Sequence, residues 1–182
     1  IAAYGPKALS SAGRVGDGLI LQVAAPTICK WLTDQAMAAG EGIGRDMSNY
    51  RVMSAAPAFT GDKKSAIEKV KWFPAMVGNH VADIVEKYGA GSDEVPSSLT
   101  SYIKNRRGYD YSKHGQSDNP YLDFITDDIV EEFCILGEPE EHIEKQNTLK
   151  AAGVTQFNIY LDSGDEEKII SDYGEHVIPA FS

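Results

Sequence analysis

The residue types best suited to chemistry stand at the beginning of the sequence, in the run Ala2-Ala3-Tyr4-Gly5-Pro6-Lys7. Pro6 suits the first position of a helix, and Gly5 lets a backbone approach a ligand closely. The free N–H groups and the dipole of a helix start attract anions, and Lys7 adds a positive charge. The run predicts an anion or phosphate site at the amides of Tyr4, Gly5 and Lys7. On local sequence alone, a Gly-Pro pair that merely starts a helix is the more common explanation.

Other arrangements that carry known chemistries are missing from the sequence. There is no Walker loop, no GxSxG elbow and no HExxH motif, and the glycines at 40–44 lack the preceding strand of a dinucleotide fingerprint. Cys29 and Cys134 show neither a CxxC nor a Cys/His spacing. We therefore expect two reduced thiols, no disulfide and no metal site.

A second group of candidates lies on the longest irregular stretch, residues 89–125, which is rich in Gly, Ser, Asp, Asn and Tyr. Tyr109, Tyr111 and His114 cluster there and are candidates for contacts with a substrate. Stretches of this length inside a compact domain are often functional lids. A tyrosine-rich loop that packs against the rim of the fold gives the same pattern.

Composition limits the classes of partner. The chain has 182 residues, 42% of them hydrophobic, and a formal net charge of −10. That charge repels nucleic-acid backbones and anionic membrane surfaces, so neither is expected as a partner. No apolar run approaches the roughly 20 residues that span a bilayer, and no signal pattern is present. We expect a soluble, cytoplasmic protein, and because the sequence opens with Ile1 it reads as an excerpt from a longer chain.

The first 60 residues predict alternating strands and helices. The expected elements are a strand at 1–3, a helix at 6–15, a strand at 19–24 buried on both faces, a helix from Pro26 to the glycines at 40–44, and a strand at 50–56 that ends before Pro57. Two of the strands start near residues 18 and 50, a spacing of 32 residues. That spacing suits the βα unit of an eightfold barrel or of a doubly wound sheet.

The rest of the chain predicts mostly helix. The expected elements are a long helical stretch from Asp62 with a break at Pro74, a helix at 127–136 capped by Thr126, a helix at 139–152, a strand at 156–161 and a terminal helix at 166–178. We expect all four strands to be parallel, each followed by a helix. We also expect one compact region without an internal linker.

Several separated stretches resemble the luciferase-like monooxygenases, in particular the methylene-tetrahydromethanopterin reductase-like, deazaflavin-dependent branch. They are Ile1–Leu9, Ala12–Gln22, Tyr109–His114, Asp127–Gly137, Gly153–Asn158 and Tyr173–Phe181, in the same order as in that branch. The resemblance covers nearly the whole chain. It implies an α/β fold that is the C-terminal half of a (β/α)8 TIM barrel, with its strands as the fifth to the eighth and an insertion at about 62–137 before the last strand.

The resemblance also implies an activity and a site. It implies an oxidoreductase or monooxygenase that transfers a hydride through coenzyme F420 or FMN to or from a small-molecule substrate. We also expect a homo-oligomer. The cofactor phosphate is held in such proteins by the loop that matches Ala3, Tyr4, Gly5 and Pro6, with Lys7 beside it. Some deazaflavin-dependent relatives add a lysine after the sixth strand, and the matching residues 22–26 contain none. Coenzyme F420 and FMN therefore both remain open.

Two other functions compete with this one. A half-barrel without catalysis would assemble through its open strand edges, since unpaired edges need cover. A phosphate-binding lyase or aldolase is disfavoured, because no Schiff-base lysine stands at a strand end. For the chain alone we expect self-association or poor solubility, because Leu19, Leu21 and Val23 would lack part of their cover. We also expect that it neither retains a flavin through purification nor turns over substrate.

Overall fold

A computed structural model describes residues 1–78, 125–162 and 164–182. Its strands are β1 (Gly18–Leu21), β2 (Arg51–Thr60), β3 (Ile135–Gly137) and β4 (Gln156–Tyr160). Its named helices are α1 (Pro6–Val15), α2 (Pro26–Glu41), α3 (Lys63–Val70), α4 (Asp127–Phe133), α5 (Pro139–Ala151) and α6 (Glu166–Asp172), and residues 72–78 are also helical. The chain ends in a π turn, Tyr173–Val177, and a 3-10 turn, Ile178–Phe181.

Strand β2 is the centre of the sheet. It pairs in parallel with β1 at residues 51–54, with β4 at residues 53–57, and with β3 at residues 58–60. Residue 2 forms a parallel bridge with residue 20, beside β1. The expected parallel strands, each followed by a helix, are thus confirmed for β1, β2 and β4. The expected strand at 1–3 is reduced to that single bridge.

Strand β2 is longer than the sequence predicts. It continues through Pro57 to Thr60, whereas we expected it to end before the proline. Pairing with β1 stops at Ser54 and pairing with β3 begins at Ala58. Pro57 therefore pairs with neither β1 nor β3 and stands opposite Tyr160 of β4 alone, and a proline is tolerated in a strand where the ladder is interrupted. The strand expected at 19–24 is shorter and ends at Leu21.

The expected helix at 127–136 is wrong in its last turn. Helix α4 ends at Phe133, Cys134 is extended, and the next three residues form β3 against the end of β2. The apolar pair Ile135 and Leu136 fits a helix face and a buried strand equally well, and pairing with β2 decides between them. The terminal helix is also shorter than expected, because α6 ends at Asp172 and passes into the π turn.

The two faces of the sheet differ in their cover. Leu19, Leu21 and Val23 are fully buried on the face that carries the helices, so our expectation that they lack cover is wrong. The opposite face, which we call the inner face, leaves Ile20 half-exposed and Asn158 exposed. The expectation of burial on both faces is therefore wrong as well. The incomplete cover lies on the side that would be the interior of a barrel.

Helices α1 and α2 pack so closely that glycine is required at their contact. A Cβ atom at Gly13 would lie 1.8 Å from the carbonyl oxygen of Ala36, and one at Gly40 would lie 2.7 Å from the carbonyl oxygen of Gly13. Backbone therefore meets backbone at this point. The contact fixes α1, and with it the start of α1, against the sheet.

Replacement of Gly13 by alanine should lower the free energy of unfolding by about 1–3 kcal/mol, because the added methyl forces the two helices apart. Gly174→Ala is the matched control, since no atom lies within 4 Å of a Cβ built there. Urea unfolding followed by circular dichroism measures both variants. Equal stability of the two variants would contradict the close contact.

Candidate functional site

The candidate site lies where the carboxyl ends of the parallel strands meet the start of α1. Strand β1 leads into Gln22, β4 ends at Tyr160, and the bridge at residue 2 leads into Tyr4 and Gly5. In parallel α/β sheets this edge carries the ligand sites, because the loops from several strands converge there. The anion site expected from the sequence thus lies on the edge that such folds use for ligands.

The start of α1 has the properties of an anion site. Gly5 is the N-cap, and the first amide bonded within the helix is that of Leu9, which donates to the Gly5 carbonyl at 2.8 Å. The amides of Lys7 and Ala8 precede it, so both are available to a ligand. Lys7 is exposed, and the first turn contains no acidic residue. Gly5 has a φ of −87°, so its backbone alone does not require glycine.

Three polar side chains form a hydrogen-bonded series beside this helix start, which we call the polar row: Tyr4, Gln22 and Tyr160. The backbone N–H of Gln22 donates to the Tyr4 hydroxyl at 2.7 Å, and the side-chain Nε2 of Gln22 donates to the Tyr160 hydroxyl at 2.7 Å. The Tyr4 hydroxyl lies 3.4 Å from Gln22 Oε1. Burial raises the pKa of Tyr4 well above its usual range, so Tyr4 stays neutral.

The register of the sheet brings the row together. Strand β2 lies between β1 and β4, and Pro57 stands opposite Tyr160 while Ala55 stands opposite Asn158. These two small residues leave room above β2 for Gln22 to reach Tyr160. The Phe73 ring meets the Tyr160 ring edge to face at a centroid distance of 5.6 Å and fixes its orientation.

Sequence reasoning identified one member of the row and missed two. Tyr4 was predicted for its amide, whereas Gln22 entered only as part of a stretch without lysine and Tyr160 only as a strand residue. Alternate positions on parallel strands share one face, and this signal could have found both. Tyr109, Tyr111 and His114 lie outside the described residues.

The two cysteines are free, as expected, and both are buried. Burial raises the pKa of Cys29 to about 12 and raises that of Cys134 further. Thiols that stay protonated at neutral pH are poor nucleophiles. Across the described ranges, no group of three or more His, Cys, Asp or Glu residues could hold a metal ion, and none of the described helices is long and apolar enough to cross a membrane.

A half-buried lysine, Lys145, explains the turn between α4 and β3. The Lys145 ammonium donates to the carbonyl oxygens of Glu131, Glu132 and Cys134, at the end of α4. Burial lowers the pKa of Lys145 to about 8. Cations favour helix C-termini, so this lysine ends the helix and holds the chain where β3 begins.

Cations near the carboxyl end of β2 are paired with carboxylates. Lys168 donates to the carbonyl and hydroxyl oxygens of Thr60, each at 3.1 Å, and to Asp172. Lys69 pairs with Asp165. Each pair is formally neutral, so these lysines offer no net charge to an anion. The exposed Lys7 differs from them in having no acidic neighbour within its helical turn.

His142 is fully buried between the ends of β2 and β3. Its Nε2 lies 3.1 Å from the carbonyl oxygens of Phe59 and Gly137, and its Nδ1 lies 2.8 Å from the Tyr173 hydroxyl. Carbonyls only accept, so Nε2 carries the proton and Nδ1 accepts from Tyr173. Burial lowers the pKa of His142. The residue holds the end of β2 to the π turn in its neutral form.

The fold defines an α/β protein of the parallel, barrel-type class, in which ligands bind at the carboxyl ends of the strands. A family model described as luciferase-like monooxygenase matches residues 1–156. The chain belongs to the luciferase-like monooxygenase family, which confirms the resemblance noted in the sequence.

Curated relatives include proteins named 5,10-methylenetetrahydromethanopterin reductase. The chain is 27% identical to the one from Methanopyrus kandleri over 98% of its length, and 28% identical to the one from Archaeoglobus fulgidus over 98%. It is 30% identical to the one from Methanolobus tindarius over 97%. It covers 49%, 53% and 52% of these proteins, so it spans about half the length of the curated relatives it matches.

Solved structures share the fold. The coenzyme F420-dependent tetrahydromethanopterin reductase of Methanopyrus kandleri matches with a TM-score of 0.69 and 24% identity, over 100% of this chain and 50% of that one. An F420-dependent secondary alcohol dehydrogenase, solved with an F420-acetone adduct, matches with a TM-score of 0.66 and 22% identity, over 100% and 48%. The chain is thus similar to half of these folds, in agreement with the expected half-barrel.

Lowering the pH from about 7.5 to about 5.5 should lower the free energy of unfolding, because the unfolded His142 gains a proton below about pH 6.5 while the folded one stays neutral. The stabilisation that neutral His142 contributes is complete above the pKa of the unfolded state. It is lost as the pH falls towards the lower pKa of His142 in the folded state. Urea unfolding at several pH values measures it.

Two histidine variants make this prediction specific. His142→Gln should reduce the loss of unfolding free energy between pH 7.5 and pH 5.5. His176→Gln, at an exposed position, should leave that loss unchanged. A decline of the same size in both variants would show that other groups cause it.

Proposed function

We propose that this chain supplies the phosphate-binding side of an oxidoreductase that uses coenzyme F420, with FMN as the other candidate. The observation that carries the proposal is the start of α1, which has available amides, the exposed Lys7 and no acidic residue in its first turn, beside the polar row. Family membership, the reductases among the relatives and the F420-dependent structural neighbours support it.

In this proposal the residues at the start of α1 hold the phosphate of the cofactor. The amides of Tyr4, Gly5 and Lys7 donate to its oxygens, and Lys7 offsets part of its charge. Ala3 is buried in the core and anchors the loop there, and Pro6 is the first residue of the helix. The bound cofactor supplies hydride transfer, while the protein positions the cofactor and the substrate and excludes water.

The substrate proposed is a small molecule that lies against the inner face, next to the polar row. The curated relatives are named for methylenetetrahydromethanopterin, and one structural neighbour is a secondary alcohol dehydrogenase. The polar groups near Tyr160 on the inner face are the neutral side-chain amides of Gln22 and Asn158. We therefore expect recognition by hydrogen bonds rather than by ion pairs.

Replacement of Gly5 by valine should weaken binding of coenzyme F420 by roughly tenfold, because a branched side chain would obstruct the approach of a phosphate to the amides. The φ of −87° is compatible with valine, so the fold should persist. Titration monitored by the fluorescence of the cofactor measures the affinity. Gly174→Val, in open space, is the control. Unchanged affinity in the Gly5 variant would contradict the site.

One observation favours the second candidate, a half-barrel without catalysis that assembles through its open strand edges. Among the strands that the structure describes, β4 pairs with β2 alone. A groove of about 620 Å³ runs beside β4 and contains Phe157, Ile178 and Phe181. A second copy of the chain would cover this edge and the inner face.

Under that reading, Asn158→Arg should shift the chain towards a monomer, because it places a charge on the exposed inner face at the open edge. Sedimentation velocity measures the shift. Asn147→Arg, the same substitution at an exposed position on α5, should leave the oligomeric state unchanged. A chain that is monomeric before any substitution would exclude this candidate.

A further inference from the structure

The hydrogen bonds of the polar row have a defined direction. The Tyr4 hydroxyl accepts a hydrogen bond from the backbone N–H of Gln22, so the proton of the hydroxyl must point elsewhere. The Gln22 Oε1, at 3.4 Å, is the acceptor in range. The side-chain oxygen of Gln22 therefore faces Tyr4, and its Nε2 faces Tyr160. A backbone N–H, which can only donate, thus sets the orientation of the whole row.

The polar row ends at the Tyr160 hydroxyl, which is a free hydrogen-bond donor among the described residues. Gln22 Nε2 carries only protons, so it donates and Tyr160 accepts. The Tyr160 hydroxyl keeps its own proton, for which the structure shows no acceptor within residues 1–78, 125–162 and 164–182. Tyr160 is half-buried, at the carboxyl end of β4. An oriented donor at this edge is well placed for a ligand.

The surroundings of Tyr160 indicate the chemistry of that ligand. On the same face of β4, Gln156 and Asn158 are exposed neutral amides, and the paired positions on β2 are Met53, Ala55 and Pro57. None of these side chains is charged. An anion would lack a partner charge here, whereas an uncharged acceptor gains a hydrogen bond without the cost of burying a charge.

We propose that Tyr160 donates a hydrogen bond to a neutral carbonyl oxygen or ring nitrogen of the bound ligand, and that Gln22 is the residue that positions it. The proposal rests on the proposed function, since it places a ligand at the carboxyl ends of the strands. The cofactor ring and a pterin-type substrate both carry such acceptors. The two sources therefore need separate arms in the test.

The test compares Tyr160→Phe with the unchanged chain. Coenzyme F420 and methylenetetrahydromethanopterin are titrated separately to millimolar concentrations, and binding is followed by NMR of the tyrosine side chains. We expect affinity for one of the two to fall roughly tenfold, the scale of one lost hydrogen bond, and that one identifies the source. Tyr50→Phe is the matched control, because its buried hydroxyl has no partner within the described ranges.

Gln22→Met separates positioning from a merely structural role. It retains the length of the side chain and the backbone N–H that binds Tyr4, but removes the side-chain amide that orients Tyr160. If the acceptor is on the cofactor, we expect the visible absorption band of bound coenzyme F420 to shift in the same sense as in Tyr160→Phe. If it is on the pterin, we expect the same loss of pterin affinity in both variants. A purely structural role would lower stability and leave these readouts unchanged.

The outcomes separate this inference from the function on which it rests. Binding to the unchanged chain with equal affinity in Tyr160→Phe would overturn the role of Tyr160 and leave the proposed function standing. Failure of both compounds to bind the unchanged chain would overturn both proposals. A loss in Tyr50→Phe as large as that in Tyr160→Phe would also overturn the specific role of Tyr160.

Discussion

The parallel register of β2 with its two long-range neighbours is the constraint on which the site depends. Gln22 and Tyr160 are 138 residues apart in sequence, and they meet because β2 pairs with β1 on one edge and with β4 on the other. A shift of one residue in either pairing would turn the shifted side chains to the opposite face. The row would then be lost, even if every helix were retained.

Packing on the face of the sheet that carries the helices stabilises this register. The contact of Gly13 and Gly40 brings α1 against α2, and both helices cover Leu19 and Leu21. At the far end of β2, neutral His142 binds the carbonyls of Phe59 and Gly137. The sheet is thus held from outside, while on its inner face Ile20 stays half-exposed and Asn158 exposed. The polar groups of the inner face are therefore available for recognition.

Local sequence patterns predict the elements whose ends are marked by characteristic residues. Pro6 and Pro26 mark the starts of α1 and α2 because a proline is favoured in the first turn of a helix. Strand β3 could not be predicted in this way, since its three residues become a strand only against β2 and with Lys145 at the end of α4. The helix start at Pro6 is local and was predicted, and the anion site proposed there stays a prediction. The polar row depends on contacts between distant residues and was not.

The proposed site divides its chemistry between two environments that Tyr4 joins. At the start of α1 the exposed amides and Lys7 suit a charged group, and solvent there reduces the cost of holding it. On the inner face, Gln22 and Tyr160 suit a neutral acceptor. Tyr4 joins the two, because its backbone lies at the helix start and its hydroxyl begins the row. A ligand with a charged tail and a neutral ring satisfies both environments at once, and a ligand with only one of these parts leaves the other unpaired.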